Sequence, residues 1–206
     1  MTPYAWRDLP SRYVIGVDEA GRGCLAGRVY AAAVILNPDL DVASFVDSKK
    51  LSSKRREEIA QVIQRDHRVG IGFAEVEEIE KINILNASLL AMERAVLNLA
   101  IDMSKLEEMH ILVDGSQAIK GLKHIKQTLL VKGDQRATPI SAASIIAKVA
   151  RDKEIREIAK EYPEYGFEKH KGYGTSEHLK AIQNFGPSRI HRKTFAGVKE
   201  YIAGLA

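Results

Sequence analysis

Three short apolar runs in this chain end at acidic residues. Tyr13 to Val17 stops at Asp18-Glu19, Ile111-Leu112-Val113 stops at Asp114-Gly115, and Leu129-Leu130-Val131 stops at Lys132-Gly133-Asp134. Apolar runs this short are strand-sized. In an open sheet, side chains at strand ends leave the core and reach solvent, where ligand sites form. The chain is therefore expected to build a sheet whose rim gathers carboxylates. Such a cluster repels itself unless a cation joins it. Magnesium is a hard ion that accepts carboxylate oxygens and keeps room for water and substrate phosphate. A pair of such ions can drive phosphodiester hydrolysis.

The rest of the pattern alternates strands with helices. Arg28 to Leu36 reads as a second buried strand, and Asn37-Pro38-Asp39 as a turn. Ser52 caps a helix to about Asp66. Val69, Ile71 and Phe73 alternate with Gly70, Gly72 and Ala74, giving a strand with one nearly bare face that another backbone can approach closely. Asn83 is placed as the cap of a long helix carrying Leu85, Leu89, Met92, Val96 and Leu99. Thr138 caps and Pro139 starts a helix to about Tyr162, whose first half is unusually small (Ser141-Ala142-Ala143-Ser144 and Ala147). Pro163 ends it. Residues 166–174 read as loop, Thr175 caps a short helix to Asn184, and a last helix follows Thr194. The order β-β-α-β-α-β-β-α, with helices at the end, predicts an α/β fold with a mixed sheet between helices. The chain is read as one domain, 1–206, with a helical extension over about 163–206.

Composition narrows the function classes. The 206 residues carry 31 Lys and Arg against 27 Asp and Glu, a net charge of +4 that permits a nucleic-acid partner. Cys24 is the single cysteine, so neither an internal disulfide nor a cysteine-based zinc site is expected. No apolar run approaches the ~20 residues of a membrane span. Met1 to Pro10 contains Arg7 and Asp8 and lacks the apolar core of a signal peptide. A reducing, cytoplasmic setting without membrane contact is expected.

After the first acids comes Gly21-Arg22-Gly23. Glycines here expose backbone amides and carbonyls for close contact, and Arg22 can add a phosphate contact. Further motifs follow: Asp47 to Ser52 (DSKKLS), Val113-Asp114-Gly115, Lys132-Gly133-Asp134, Ser141 to Asp152 (SAASIIAKVARD), Gly172-Tyr173-Gly174-Thr175, and His191 to Phe195 (HRKTF). In this order, over nearly the whole chain, they resemble the type 2 ribonucleases H, the ribonuclease HII family.

The resemblance implies a ribonuclease-H-like mixed five-stranded sheet flanked by helices. It implies an endoribonuclease that cleaves RNA in RNA/DNA hybrids and DNA at embedded ribonucleotides, with Mg2+ or Mn2+. It makes Asp18, Glu19, Asp114 and Asp134 the catalytic, metal-binding acids. Gly21, Arg22 and Gly23 become the loop whose backbone senses the ribose 2′-hydroxyl. Tyr173 becomes the ring that packs on the deoxyribose 3′ to the cut. Cys24 and Arg28 stand where the family frequently has proline, and Thr194 where it frequently has serine. The type 3 ribonucleases H share the catalytic motifs but carry an extra N-terminal substrate-binding domain, for which the first acid at position 18 leaves no space. A rival from another class is a catalytically silent hybrid-binding module.

Other groups complete the expected substrate surface. Lys49 and Lys50 precede a helix N-cap and are read as a grip on the phosphate backbone. Lys169, His170 and Lys171 lead into Tyr173, a basic-then-aromatic order suited to a nucleic-acid strand. His191 and Arg192 are candidates for phosphate contact. Asp152, four residues after Lys148, reads as half of a surface ion pair, which leaves Asp134 as the fourth acid. A monomer is expected. One question stays open: adjacent strand residues face opposite ways, so either the strand ends or bulges at Asp18, or Glu19 contributes less directly.

Overall fold

A computed structural model describes residues 2–42, 45, 52–102 and 104–202. Five strands form one sheet in the order β3-β2-β1-β4-β5: β1 (Tyr13–Ala20), β2 (Val29–Ile35), β3 (Arg68–Ala74), β4 (Met109–Asp114) and β5 (Lys126–Leu130). β1 pairs antiparallel with β2 and parallel with β4, and β5 continues parallel, so the sheet is mixed as expected.

The sheet is wrapped on both faces. Helix α2 (Val76–Leu97) covers one, burying Ile15, Val17, Ala31, Ala33, Ile111 and Val113. Helices α1 (Ser53–Asp66) and α3 (Thr138–Glu161) cover the other, over Ala32 and Val34, with Ile63 of α1 in the same core. The bare face of β3 has the predicted use. A Cβ on Gly70 would lie 2.1 Å from the Ala95 carbonyl oxygen, and one on Gly72 2.3 Å from that of Ala91. The α2 backbone therefore rests directly on the strand. Gly16 serves the same purpose on the opposite face, where an added Cβ would meet the Pro139 backbone at 2.1 Å. That contact, with the small Ala142, Ala143 and Ala147, seats α3 against β1 and β2.

Several boundaries differ from the sequence reading. α2 starts at Val76, where Glu75 and Glu78 form a reciprocal capping box. Asn83 instead kinks this helix at φ 64°, and its side chain caps the second part by accepting from the Asn86 amide. Thr138 is the first helical residue and Ala137 the cap. β5 ends at Leu130, which leaves Val131 exposed. The stretch expected as loop contains one helical turn, α4 (Phe167–His170), before α5 (Ser176–Phe185). After Thr194 the described residues form only a 3-10 turn, Lys199–Tyr201.

The C-terminal segment shares a core with the loop after β1. Phe167, Ala181, Ile182 and Val198 pack on Ile155 of α3 and on Leu25 and Ala26. Arg28 ties β2 to both helical layers: it pairs with Glu75 at 2.7 Å and Glu154 at 2.9 Å while lying over the Phe73 ring. No helix among the described residues is long and apolar enough to cross a membrane.

Candidate active site

Asp18 and Asp114 stand at the same end of neighbouring parallel strands, one residue beyond the Val17–Val113 pair. Strand alternation puts both on the α3 face, with Gly16 and Leu112 below them. β1 remains regular through Ala20, with Asp18 opposite Ala32 and Glu19 opposite Ala31. There is no bulge. Glu19 leaves from the other face, two residues past the last β1–β4 pair at Val17–Val113. Its amide donates to Asp18 Oδ1 at 2.7 Å, and its carboxylate accepts from Arg22 at 3.1 Å. The fourth acid arrives through a turn: the Gly133 amide donates to Asp114 Oδ1 at 2.6 Å, which holds the neighbouring Asp134 beside β4. Asp18 and Asp134 are both buried.

Burial pushes the Asp18 carboxyl well above the usual carboxylate range, and repulsion from Glu19 and Asp114 pushes the same way. A hydrogen bond with Ser144 opposes this. Burial also raises Glu19, with Arg22 offsetting part of the rise and Asp114 adding to it. No basic side chain is among the main influences on Asp18. The all-oxygen donor set and this mutual repulsion fit a hard divalent cation. Among the described residues no three acidic, histidine or cysteine groups stand as a ready-made metal shell.

A groove of about 350 Å³ opens beside the acids, lined by Glu19, Ala20, Gly21, Arg56, Ser144, Lys148 and Tyr173. The structure thus brings the glycine-arginine-glycine loop and Tyr173 together from opposite ends of the chain. Their backbones meet directly, with Cys24 bridging Tyr173 in antiparallel fashion. Tyr173 is 43% exposed, with Lys148 Nζ at 5.6 Å and Arg151 Cζ at 5.4 Å from its ring centroid. Of the two loop glycines, Gly21 has φ +96° and tight neighbours. A Cβ on Gly23 would have nothing within 4 Å, and its backbone is not left-handed.

The phosphate-contact reading of His191 and Arg192 and the surface reading of the Lys148–Asp152 pair change. Lys49 and Lys50 lie outside the described residues. His191 and Arg192 are fully buried, so neither side chain is placed to grip a phosphate. Arg192 spends its guanidinium on the carbonyls of Gly27, Arg22 and Arg28 at 2.9–3.1 Å. Arg151 is likewise interior, donating to Cys24 Sγ at 3.0 Å and to the Lys171 carbonyl. Asp152 is buried between Arg151 and Lys148, so that pair is no surface decoration. Sequence reading missed Arg56, which gave no signal beyond following the Ser52 cap by one turn. It noticed Ser144 only as a small residue.

His178 and His191 are interior rings whose pKa falls to about 4, chiefly through burial. A depressed histidine pKa means that the fold favours the neutral ring. The stability this gives is complete above about pH 6.5 and is lost as pH falls toward 4. Thermal midpoints measured in small pH steps are expected to decline across that window. The decline should be shallower in His191→Gln, which removes one titrating ring.

The comparisons with known proteins agree with this geometry. The family model described as Ribonuclease HII matches residues 15–198. The chain belongs to the ribonuclease HII family. Ribonuclease HII of Pelagibacter ubique is 50% identical over 191 residues, covering 93% of this chain and all of that protein. Among solved structures, ribonuclease H2 of Pyrococcus horikoshii superposes with a TM-score of 0.73 at 25% identity, over 93% of this chain and 97% of that one. Bst-RNase HIII, solved in complex with Mn2+, superposes with a TM-score of 0.74 at 19% identity, over 97% of this chain and 72% of that one. The fold is ribonuclease-H-like, and the protein is a hydrolase of the ribonuclease H type.

Proposed function

We propose that this ribonuclease cleaves the RNA strand of RNA/DNA hybrids and cuts DNA 5′ to embedded ribonucleotides, leaving a 3′-hydroxyl and a 5′-phosphate. The observation that carries the reading is the mutually repelling group of Asp18, Glu19 and Asp114, of which Glu19 lines a groove together with Gly21 and Tyr173. Asp18, Glu19, Asp114 and Asp134 would hold Mg2+ or Mn2+. Bound there, two such ions supply an activated water and positive charge for the leaving oxygen.

The chain's own groups do the rest. Ser144 orients Asp18 by hydrogen bonding. Arg56 and Lys148 offer positive charge along the groove for the phosphate backbone. The loop backbone at Gly21, Arg22 and Gly23 offers donors and acceptors to a 2′-hydroxyl, which both donates and accepts. The exposed face of Tyr173 packs on a deoxyribose across the cut and is crowded by a further 2′-hydroxyl. The substrate is expected to be RNA/DNA hybrid and ribonucleotide-containing DNA on these grounds.

The test compares specific cleavage rates on a continuous RNA/DNA hybrid and on DNA with one embedded ribonucleotide, with magnesium and with chelator. Cleavage of both that chelator abolishes is expected; binding without cleavage would instead fit the silent module. Tyr173→Ala is expected to slow the single-ribonucleotide substrate more than the continuous one. Gly23→Ala separates contact with substrate from strain within the protein. Its methyl meets nothing in the fold, so melting should stay unchanged while cleavage at the single ribonucleotide falls. Normal rates in Gly23→Ala would remove that glycine from the reading surface.

A further inference from the structure

The two substrate-reading segments are both held from behind by one buried dipeptide. We propose that His191 and Arg192 are positioning residues that set the span between Tyr173 and the glycine-arginine-glycine loop. This rests on the reading of those two segments given above.

His191 acts on Tyr173 through His178, and the hydrogen-bond partners fix which nitrogens carry protons. The Ser188 amide can only donate, and it points at His191 Nδ1 at 2.9 Å, so that nitrogen is bare. Neutral His191 then carries its proton on Nε2, which lies 3.1 Å from His178 Nε2. The Tyr173 carbonyl can only accept, and His178 Nδ1 lies 2.9 Å from it, so His178 carries its proton on Nδ1. The hydrogen bonds run from the Ser188 amide through His191 and His178 to the accepting Tyr173 carbonyl, with no step where two protons face each other. The Thr175 amide fills the other acceptor site of that carbonyl at 2.8 Å. His170 completes the support: it stacks on His178 with ring centres 4.4 Å apart and accepts from the Gly172 amide.

Arg192 acts on the other segment. Its Nη1 donates to the Arg22 carbonyl at 3.0 Å, and its Nε and Nη2 take the carbonyls of Gly27 and Arg28. Its own amide donates to the Leu25 carbonyl, while the Leu25 amide donates to that of Gly172. The dipeptide therefore fixes an atom on each side of the groove without touching it. A planar guanidinium with several donors in a rigid fork suits this, and a lysine does not.

Two substitutions at one position dissect the relay. The amide nitrogen of asparagine falls near the place of a histidine Nδ1, and the amide of glutamine near Nε2. His178→Asn keeps a donor for the Tyr173 carbonyl and gives up His191; His178→Gln does the reverse. Both lose the ring, and the smaller asparagine loses more packing, so a general packing cost would fall harder on His178→Asn, the reverse of the order expected here. The quantity read is the ratio of cleavage at a single embedded ribonucleotide to cleavage of a continuous hybrid. His178→Gln is expected to lower it about tenfold, in keeping with the sensitivity of rates to small misplacements, and His178→Asn to lower it much less. In a Tyr173→Ala background His178→Gln should cause no further loss. Arg192→Lys should lower the ratio in either background, because it acts on the other loop. Nitrogen-15 NMR of the histidine rings should find His178 protonated on Nδ1 and His191 on Nε2.

Equal ratios for the two His178 variants, or losses that add to that of Tyr173→Ala, would overturn the proposal, as would the opposite tautomers. If Tyr173→Ala itself leaves the ratio unchanged while the tautomers are as stated, the fault lies in the role given to Tyr173, and the positioning role falls with it.

Discussion

Asp18→Asn and Asp114→Asn are each expected to reduce magnesium-dependent cleavage by more than about 100-fold, since even partners of metal ligands are worth about 10–100-fold. Asparagine keeps the shape of the side chain and removes the charge. The fold should survive, because the Gly133 amide still finds the oxygen of residue 114 and Ser144 still finds a polar group at residue 18. Without added metal, Asp18→Asn should melt no lower than the parent at neutral pH. Burial, Glu19 and Asp114 all hold the Asp18 carboxyl above its usual range. Ionising it therefore costs stability as pH rises from its unfolded value through its folded one, and asparagine removes that cost. Adding magnesium should raise the melting point of the parent and raise that of either variant less. Near-normal turnover in a variant would exclude that acid from the site.

Gly16→Ala should cause a large loss of stability from a single methyl. Its Cβ would lie 2.1 Å from the Pro139 carbonyl carbon and 2.4 Å from the Ile140 amide nitrogen. These are backbone atoms of α3 and cannot swing aside as a flexible side chain would. Overpacking of this kind is expected to cost about 3 kcal/mol or more, a fall of roughly 6–12 °C in melting temperature for a chain of this size. Activity should fall beyond what unfolding explains, because moving α3 shifts Ser144 from Asp18 and Lys148 from the groove. Gly23→Ala is the matched control for melting alone, since its methyl meets open space. An unchanged melting temperature in Gly16→Ala would mean that α3 slides freely on β1.

The sequence by itself determined where five strands lie and that acids stand at or just beyond the ends of three apolar runs, though not where β1 and β5 stop. Both are local properties: apolar runs bounded by Asp and Gly mark strands, and Gly70 and Gly72 announced the close approach of a helix without saying which one. Ser52 and Thr175 were legible as caps for the same reason, since each accepts from an amide three residues on. The motifs carried the family.

What tertiary structure alone decided depends on burial, which no local pattern reveals. Arg151, His191 and Arg192 look like surface groups in sequence because charged and polar side chains mostly are. The fold buries them by supplying acceptors from distant segments: Cys24 and Lys171 for Arg151, and Arg22, Gly27 and Arg28 for Arg192. His178 drew no notice in sequence, yet it joins His191 to Tyr173 once α5 is docked. The side from which Glu19 meets Asp18 was likewise undecidable until β1 was seen to stay regular to Ala20. An apolar run and the acid that follows it are written into neighbouring residues; a buried cation's partners are written across the chain, and only folding brings them within reach.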